Sequence, residues 1–281
     1  MLRQTTRFSS IIGLFAVSFL MEAQSLIDLS SATDIANRRP ILIAHRGGVI
    51  TPSSPECSLS AIRIAGQTGY DMVELDVRMS KDGVPIVFHD RTLENACGQS
   101  ESISDLAAAE LLTIRYLKGG DHIVTFETAL QECRKQNLGI MLDLKAGRDN
   151  AQFLTTLDQL ILKTGYENAT ITISGTESTR LHLKHVRFTP TKAEIQQLRE
   201  KQDTNLQDRF WFGLPQQLPN SDIHLFKKSG ALIFPAINTF RYPKSNHLEL
   251  AKKDIRRLLD NGVDGFQLDS IYHKLIKPST P

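Results

Sequence analysis

Short apolar runs rich in β-branched and aromatic residues recur along this chain and alternate with segments of helical periodicity. The candidate strands are 41–44, 72–77, 85–88, 139–144, 169–173, 186–188, 210–213, 231–234 and 265–268. Near-continuous apolar strands are typical of parallel sheets, whose two faces are both buried under helices. The alternation therefore predicts an α/β fold, either a doubly wound sheet or a (β/α)8 barrel.

The number and spacing of the candidate strands predict an interrupted barrel. Nine candidates are one more than a barrel needs, and we expect the extra one among the segments between Val186 and Gly213. The connection between the second and third candidates is too short for a crossover helix. Predicted helices lie between other strands, at 58–68, 125–135 and 254–261.

The first 25 residues have the organisation of a secretory signal peptide. Arg3 and Arg7 precede an apolar run from Ile11 to Met21, followed by small and polar residues. The run is shorter than the roughly 20 residues that span a membrane, and no cysteine directly follows it. We expect a signal peptide at 1–25, export to the periplasm or the outside of the cell, and one folded domain over 30–281. The alternative is an amphipathic N-terminal helix of the mature fold.

The charge balance gives no sign of a nucleic-acid partner. Lysine and arginine total 33 against 31 acidic residues, a formal net charge of +2, whereas nucleic-acid-binding domains concentrate basic residues on one face. The one dense basic group, at 252–257, has the spacing of a solvated helix face. We expect no nucleic-acid partner and no stable membrane span.

The three cysteines cannot all form intramolecular disulfides. Export would permit a disulfide. Cys97 and Cys133 are the candidate pair, and Cys57 is the expected free thiol.

Polar side chains occur at or near the ends of four early candidate strands. They are His45 and Arg46 on the first, Glu74 and Asp76 on the second, His89 and Asp90 on the third, and Asp143 and Lys145 on the fourth. The carboxyl ends of parallel barrel strands form the face on which active sites are built. We therefore expect these side chains around one mouth of the barrel.

The acidic residues in this set have the pattern of a metal site. Glu74 and Asp76 are two residues apart, so on a strand both carboxylates point to the same side. Adjacent carboxylates repel and are costly to bury unless a cation lies between them. With Asp143 they form an all-oxygen set, which suits Mg²⁺ or Ca²⁺ better than structural Zn²⁺. One such pair alone would more simply be a solvated strand face, but four converging strand ends favour a metal.

The basic residues of the set suit proton transfer and anion binding. Imidazole is the side chain best suited to act as a general acid or a general base at neutral pH, so His45 and His89 are the candidates for these roles. A lone strand-end histidine is more often structural, but two that flank a carboxylate pair favour catalysis. Arg46 and Lys145 can bind a phosphate, the arginine through two parallel hydrogen bonds. The whole set predicts phosphoryl chemistry.

The segments 44–48, 55–56, 73–77, 82–90, 125–130, 143–145 and 262–266, with Asp269, resemble the glycerophosphodiester phosphodiesterase family. The resemblance covers most of 41–270 and is most specific in its first half. It implies a (β/α)8 TIM barrel with a small insertion after the second strand. It also implies Mg²⁺ or Ca²⁺ on Glu74, Asp76 and Asp143, acid–base catalysis by His45 and His89, and phosphate contacts from Arg46 and Lys145.

The resemblance implies an activity, with the substrate left open. Family members hydrolyse small glycerophosphodiesters to an alcohol and glycerol phosphate, by attack of the glycerol hydroxyl and opening of a cyclic phosphate. Here Cys57 replaces the usual Asn and Asp143 the usual Glu. These changes leave the reaction class intact and the head-group specificity open. Glu56 is expected to orient a ligand or His45, or to be structural.

Two other functions remain as alternatives. The D-L-K sequence at 143–145 also resembles sphingomyelinase D-type phospholipases, which would act on intact lysophospholipids at a lipid surface. Such an enzyme needs an exposed apolar rim, for which Phe240 and Tyr242 are the candidates. A non-catalytic phosphate-binding barrel would be expected to have lost a histidine or an acid, and both histidines and all three acids are present.

Overall fold

The structure, a computed structural model, describes residues 25–200 and 203–276. The strands are β1 Ile41–Ala44, β2 Met72–Met79, β3 Pro85–Val87, β4 Val124–Thr125, β5 Gly139–Leu144, β6 Thr170–Thr172, β7 Arg187–Phe188, β8 Phe210–Gly213, β9 Leu232–Ile237 and β10 Gly265–Leu268. The α-helices are α1 Ala32–Arg38, α2 Leu59–Gln67, α3 Glu94–Cys97, α4 Ala108–Leu111, α5 Phe126–Lys135, α6 Ala151–Lys163, α7 Glu177–His182, α8 Lys192–Arg199, α9 Asn220–Lys228 and α10 His247–Asp260. The predicted signal peptide lies outside these residues except for Ser25, and it stays a prediction.

Parallel strands form a closed barrel. Their order is β7-β6-β5-β2-β1-β10-β9-β8, and a parallel bridge between Phe188 and Arg209 joins the two ends of this series. Helices α2, α6, α7, α8, α9 and α10 each follow a barrel strand, and α5 precedes β5 after the interruption. The predicted α/β fold, a (β/α)8 TIM barrel, is confirmed.

The segment between β2 and α5 is the predicted insertion, and it explains the surplus strand. β3 pairs antiparallel with β2 and with β4, while a small separate core packs beneath it. The extra candidate is therefore 85–88, and the expectation that it lay between Val186 and Gly213 is wrong, because β7 and β8 are both barrel strands. Ile86 and Val87 are fully buried, so this hairpin strand is as apolar as a strand of the barrel.

The predicted helices begin where the sequence provides a capping side chain. The hydroxyl of Ser58 accepts a hydrogen bond from the Ala61 N–H at the start of α2, and Thr125 caps α5 in the same way. The predicted helix at 254–261 is the second half of the longer α10, whose lysines lie on its exposed face. Across the described ranges, the structure has no helix both long enough and apolar enough to cross a membrane.

The three cysteines are all free thiols. Cys97 packs in the core of the insertion, whereas Cys133 packs in the main core. The predicted disulfide between them is therefore wrong, because the two side chains belong to separate cores. Cys57 is free, as predicted, and fully buried.

Candidate active site

The chain turns sharply after β1, through a 3-10 turn at His45–Gly47. Arg46 has a left-handed φ of 54°, and its backbone N–H donates to Glu74 Oε2 at 2.7 Å. A Cβ on Gly47 would lie 2.7 Å from the Cα of Cys57, so only glycine allows the two backbones to come this close. The turn is therefore held between the barrel and the residues that precede α2.

We expect Gly48→Ala to lower the free energy of unfolding by about 3 kcal/mol or more, because steric overlap adds to the roughly 1–3 kcal/mol of backbone strain. The φ of Gly48 is 137°, and an added Cβ would lie 2.2 Å from the backbone oxygen of Ala61. Gly69→Ala is the control, because its φ is 80° but nothing lies within 4 Å of the added Cβ. Urea unfolding measures both, and equal losses would contradict a close contact at Gly48.

The three predicted metal ligands lie together. Glu74, Asp76 and Asp143 each place one carboxylate oxygen within 4.8 Å of the others. Asp76 and Asp143 are register partners on the neighbouring strands β2 and β5, and Glu74 faces the same side two residues earlier. Burial, with Asp76 and Asp143 close by, raises the pKa of Glu74 well above its usual range. Such a cluster is the donor set that a bound cation would stabilise.

Lys145 lies against these acids. Its Nζ is 3.0 Å from Asp76 Oδ1 and 2.6 Å from Asp143 Oδ2. Burial alone would lower the pKa of this lysine, but the two carboxylates outweigh burial and raise it. When all three acids are ionised, the ammonium group offsets one negative charge and leaves two. Buried oxygen ligands with this residual charge fit a hard divalent cation.

Cys57 is hydrogen-bonded to one residue of the acid cluster. Its Sγ donates to Asp76 Oδ2 at 3.5 Å. Burial, with the charges of Asp76 and Glu56, raises the pKa of the thiol well above its usual range, so the thiol stays protonated and able to donate. A hydrogen bond is therefore present at the position where the family resemblance led us to expect an Asn.

His45 is oriented by an aspartate that the sequence analysis had not selected as a site residue. Its Nδ1 lies 2.6 Å from Asp269 Oδ1, and Asp269 Oδ2 accepts hydrogen bonds from the backbone N–H and the hydroxyl of Thr239, both at 2.7 Å. Asn238 Nδ2 lies 3.2 Å from the same imidazole nitrogen. A proton on Nδ1, donated to Asp269, leaves Nε2 of a neutral imidazole free to accept a proton.

Strand register explains why these residues meet. Ala44 pairs with Leu268 on β10, and Leu268 pairs with Ile237 on β9. The next residues along the three strands, His45, Asp269 and Asn238, therefore lie side by side at the mouth. The sequence signal that could have identified Asn238 and Asp269 was a polar residue directly after each of the last two strands, β9 and β10.

We expect Asp269→Asn to lower the free energy of unfolding by about 2 kcal/mol at pH 7. Burial raises the pKa of Asp269, but the hydrogen bond and charge of His45 and the bonds from Thr239 outweigh burial and lower it from 3.8 to about 2. The stabilisation is thus present above the unfolded-state pKa and is lost as the pH falls toward 2. Urea unfolding at pH 7, 4 and 3 should show the difference from wild type shrinking. The control variant is Asp208→Asn, which changes an exposed aspartate. A loss of unfolding free energy that does not change with pH, or one equal to the loss in this control, would contradict the linkage.

His89 reaches the mouth through the β2–β3 hairpin rather than at the end of a barrel strand. Arg78 Nη2 donates to the His89 backbone oxygen at 2.6 Å, and His89 Nδ1 lies 2.8 Å from Asp90 Oδ1. Burial raises the pKa of Asp90, but the hydrogen bonds from His89 and Asn95 outweigh burial and lower it. Each predicted catalytic histidine is thus held at Nδ1 by an aspartate.

Glu56 lies between Arg46 and His89. Its Oε2 accepts from Arg46 Nη1 at 2.8 Å, and its Oε1 is 3.9 Å from His89 Nδ1. Its contacts are therefore with Arg46 and His89, and the contact with His45 that we considered is not made. Arg46 Nε is buried and has no hydrogen-bond partner among the described residues. This donor is suited to an anion at the mouth.

The arrangement supports a defined chemistry. It combines a cluster of three carboxylates, two histidine–aspartate pairs and two cationic side chains, Arg46 and Lys145, around one barrel mouth. Two oriented imidazoles can take up one proton and release another in the same reaction. The cationic groups can stabilise negative charge that develops on an anionic substrate.

Known proteins resemble the chain over this same region. The model of the Glycerophosphoryl diester phosphodiesterase family matches residues 45–272. Glycerophosphodiester phosphodiesterase 1 of Mus musculus is 34% identical over 117 residues, which are 39% of this chain and 35% of that protein. Human lysophospholipase D GDPD1 is 39% identical over 95 residues, which are 34% of this chain and 28% of that protein. The chain thus spans about a third of the length of these curated relatives.

Solved structures share the fold. A phosphodiesterase from Oleispira antarctica, in complex with the product sn-glycerol-3-phosphate, has a TM-score of 0.65 at 17% identity, over 86% of this chain and 99% of that one. A glycerophosphodiester phosphodiesterase from Agrobacterium tumefaciens str. C58 has a TM-score of 0.62 at 21% identity, over 82% of this chain and 96% of that one. At these identities the likeness shows the fold alone. The match to the family model extends over most of the chain, and the chain therefore belongs to the glycerophosphoryl diester phosphodiesterase family.

Proposed function

We propose that the protein hydrolyses glycerophosphodiesters to an alcohol and glycerol phosphate, with one divalent cation, Mg²⁺ or Ca²⁺, as cofactor. The observation that carries the proposal is the cluster of Glu74, Asp76 and Asp143 beside two histidine–aspartate pairs. The relatives are named for this reaction, and the Oleispira antarctica structure contains sn-glycerol-3-phosphate.

The substrate phosphate is bound between the cationic groups of the mouth. Arg46 is oriented by Glu56 and keeps a buried Nε donor without a partner in the described chain, so its guanidinium is positioned for a phosphoryl oxygen. Lys145 contributes a second positive charge beside the acids. When bound to the three acids, a divalent cation would polarise the phosphoryl oxygens and offset the charge that develops on them.

The two histidines move the protons. The neighbouring hydroxyl of the glycerol attacks phosphorus, one imidazole takes the hydroxyl proton, and the bond from phosphorus to the head-group oxygen breaks. The other imidazole gives its proton to the departing oxygen. Water then opens the cyclic phosphate with the roles of the imidazoles reversed, so the net reaction consumes one water. Asp269 and Asp90 keep each ring in the tautomer that presents Nε2.

Hydrolysis of glycerophosphocholine tests the proposal directly. We expect release of choline and glycerol phosphate, loss of activity after treatment with EDTA, and recovery when Mg²⁺ or Ca²⁺ is restored, because the acid cluster needs a counter-charge. Choline oxidation measures the rate, and phosphorus NMR detects the cyclic phosphate. Bis(p-nitrophenyl) phosphate is the comparison substrate, since it has no neighbouring hydroxyl and is expected to react far more slowly.

The same assay separates catalysis from binding alone. Saturable binding of glycerol phosphate without turnover of any glycerophosphodiester, in metal-replete protein, would overturn the proposal in favour of a phosphate-binding barrel. Turnover that survives exhaustive chelation would show that the reaction does not need the cation.

A further inference from the structure

Arg78 is a further basic side chain close to the acid cluster. It lies on β2 two residues beyond Asp76, so its side chain projects to the same side of the strand as that acid. The negative charges of Asp76, Asp90 and Asp143 all act on it. Burial outweighs these charges and lowers the pKa of Arg78 from its usual value, but a guanidinium in a protein remains protonated. A half-buried positive charge therefore lies among the acids.

The hydrogen bonds of this guanidinium go to the main chain of His89. Nε of Arg78 donates to the His89 backbone oxygen at 3.0 Å, and Nη2 donates to the same oxygen at 2.6 Å. A planar pair of charged donors fixes orientation as well as distance. Lys145, by contrast, binds the carboxylates of Asp76 and Asp143. The two basic side chains beside the acid cluster thus have different partners.

The contact lies where the pairing of β2 with β3 ends. The paired residues of β3 extend to Val87, and the next residue, Phe88, adds one hydrogen bond from its N–H to the Asp76 backbone oxygen at 3.0 Å. His89 follows directly, beyond the end of the strand. Strand pairing therefore no longer determines the path of the chain at His89, and Arg78 holds the main chain there.

We infer that Arg78 is a positioning residue, which keeps the imidazole of His89 beside the acid cluster by binding the His89 backbone oxygen. The inference rests on the proposed function, in which His89 transfers a proton. Asp90 holds the imidazole ring at Nδ1, and Arg78 holds the main chain of the same residue. Because Arg78 and Asp76 belong to one strand, the distance from the acid cluster to His89 depends on this arginine.

Loss of the contact is expected to slow proton transfer, because a displacement of about 1 Å can lower a rate by about 10². We therefore expect Arg78→Met to lower kcat for glycerophosphocholine by about 10², per mole of folded enzyme. KM should change by less than about threefold, because Arg46 and Lys145 still bind the phosphate. Choline release measures both constants, and a wild-type kcat in this variant would overturn the inference.

Arg78→Lys separates the two hydrogen bonds from the charge. Lysine keeps the positive charge but has one ammonium group in place of the planar pair of donors. We expect a kcat about tenfold below wild type, between wild type and Arg78→Met. Full wild-type kcat in Arg78→Lys would overturn the inference, because a positive charge near the acids would then be sufficient.

Arg187→Met is the matched control. Arg187 is also half-buried, and its Nη1 donates to the backbone oxygen of Gln207 at 2.6 Å. It lines a cleft with Arg39 and Asp264, which precede β1 and β10, so it lies at the end of the barrel opposite the mouth. This variant should keep the wild-type kcat per mole of folded enzyme. A fall equal to that in Arg78→Met would overturn the specific role of Arg78.

A double-mutant cycle with His89→Ala shows whether Arg78 acts through the histidine. In the His89→Ala background, Arg78→Met should change the remaining kcat by less than about twofold, because the imidazole that Arg78 positions is already absent. An equal loss in both backgrounds would overturn the inference and leave the proposed function standing. Absence of glycerophosphocholine turnover in the metal-replete wild-type protein would overturn both.

Discussion

Replacing His45 or His89, the two proposed catalytic histidines, with alanine is expected to lower kcat for glycerophosphocholine by about 10³, within the range that general acid–base catalysis contributes. The Nδ1 of His45 and that of His89 are held at 2.6 and 2.8 Å by aspartates, so each side chain is oriented for proton transfer. Both are partly exposed, but His45→Ala also removes the hydrogen-bond partner of Asp269, so kcat is compared per mole of folded enzyme. Choline release under saturating substrate and metal measures the effect.

His185→Ala is the matched control for both variants. His185 Nδ1 lies 2.9 Å from Asp158 Oδ2, a third histidine–aspartate pair, which has no contact with the acid cluster in the described structure. We expect this variant to keep the wild-type kcat. Unimpaired turnover in His45→Ala or His89→Ala would remove that histidine from the mechanism.

A glycerol phosphodiester with p-nitrophenol as the leaving group separates the two roles. This alcohol departs without a proton, so the general acid becomes dispensable for its release. One of the two alanine variants should therefore recover much of its rate with this substrate, and it is the variant that lacks the acid. Equal loss in both variants on this substrate would mean that neither imidazole protonates the leaving oxygen.

The class of fold could be predicted because burial on both faces makes barrel strands apolar throughout. The same reasoning failed at 85–88, since a hairpin strand buried under the insertion has the same composition as a barrel strand. Composition shows that a segment is buried but not which strand it pairs with. The two-residue strand β7 is the opposite case, because its segment was a candidate for the surplus strand although it belongs to the barrel. It pairs with β6, and a bridge to Arg209 joins it to the other end of the series.

The candidate site could be predicted where its residues are neighbours in the chain. The spacing of Glu74 and Asp76 fixes their common direction, and the structure brings Asp143 to them by register. Asp269 was missed as a partner of His45 because 224 residues separate the two, and only closure of the barrel brings them together. The disulfide prediction failed for a related reason, because the packing of two separate cores cannot be read from the spacing of cysteines.

Asp76→Asn is expected to weaken the binding of Mg²⁺ and Ca²⁺ by more than about 100-fold and to lower kcat as well. Loss of a residue that only orients a metal ligand costs up to about 100-fold in affinity, and loss of a ligand itself should cost more. Asp76 is 1% exposed and lies between Asp143, Lys145 and the thiol of Cys57. An amide of the same size keeps the packing but removes one of the two negative charges that Lys145 leaves in excess. Isothermal titration calorimetry of the chelator-treated protein measures the loss.

Asp158→Asn is the control, because this carboxylate is also buried and also paired with a basic side chain, His185, but lies outside the acid cluster. It should leave the binding isotherms unchanged. Wild-type isotherms for folded Asp76→Asn would show that the cation binds elsewhere. The next candidate would then be Glu56, His89 and Asp90, whose ligand atoms also lie within 4.8 Å of one another. Glu56, His89 and Asp90 would then hold the cation, and His89 would be a metal ligand.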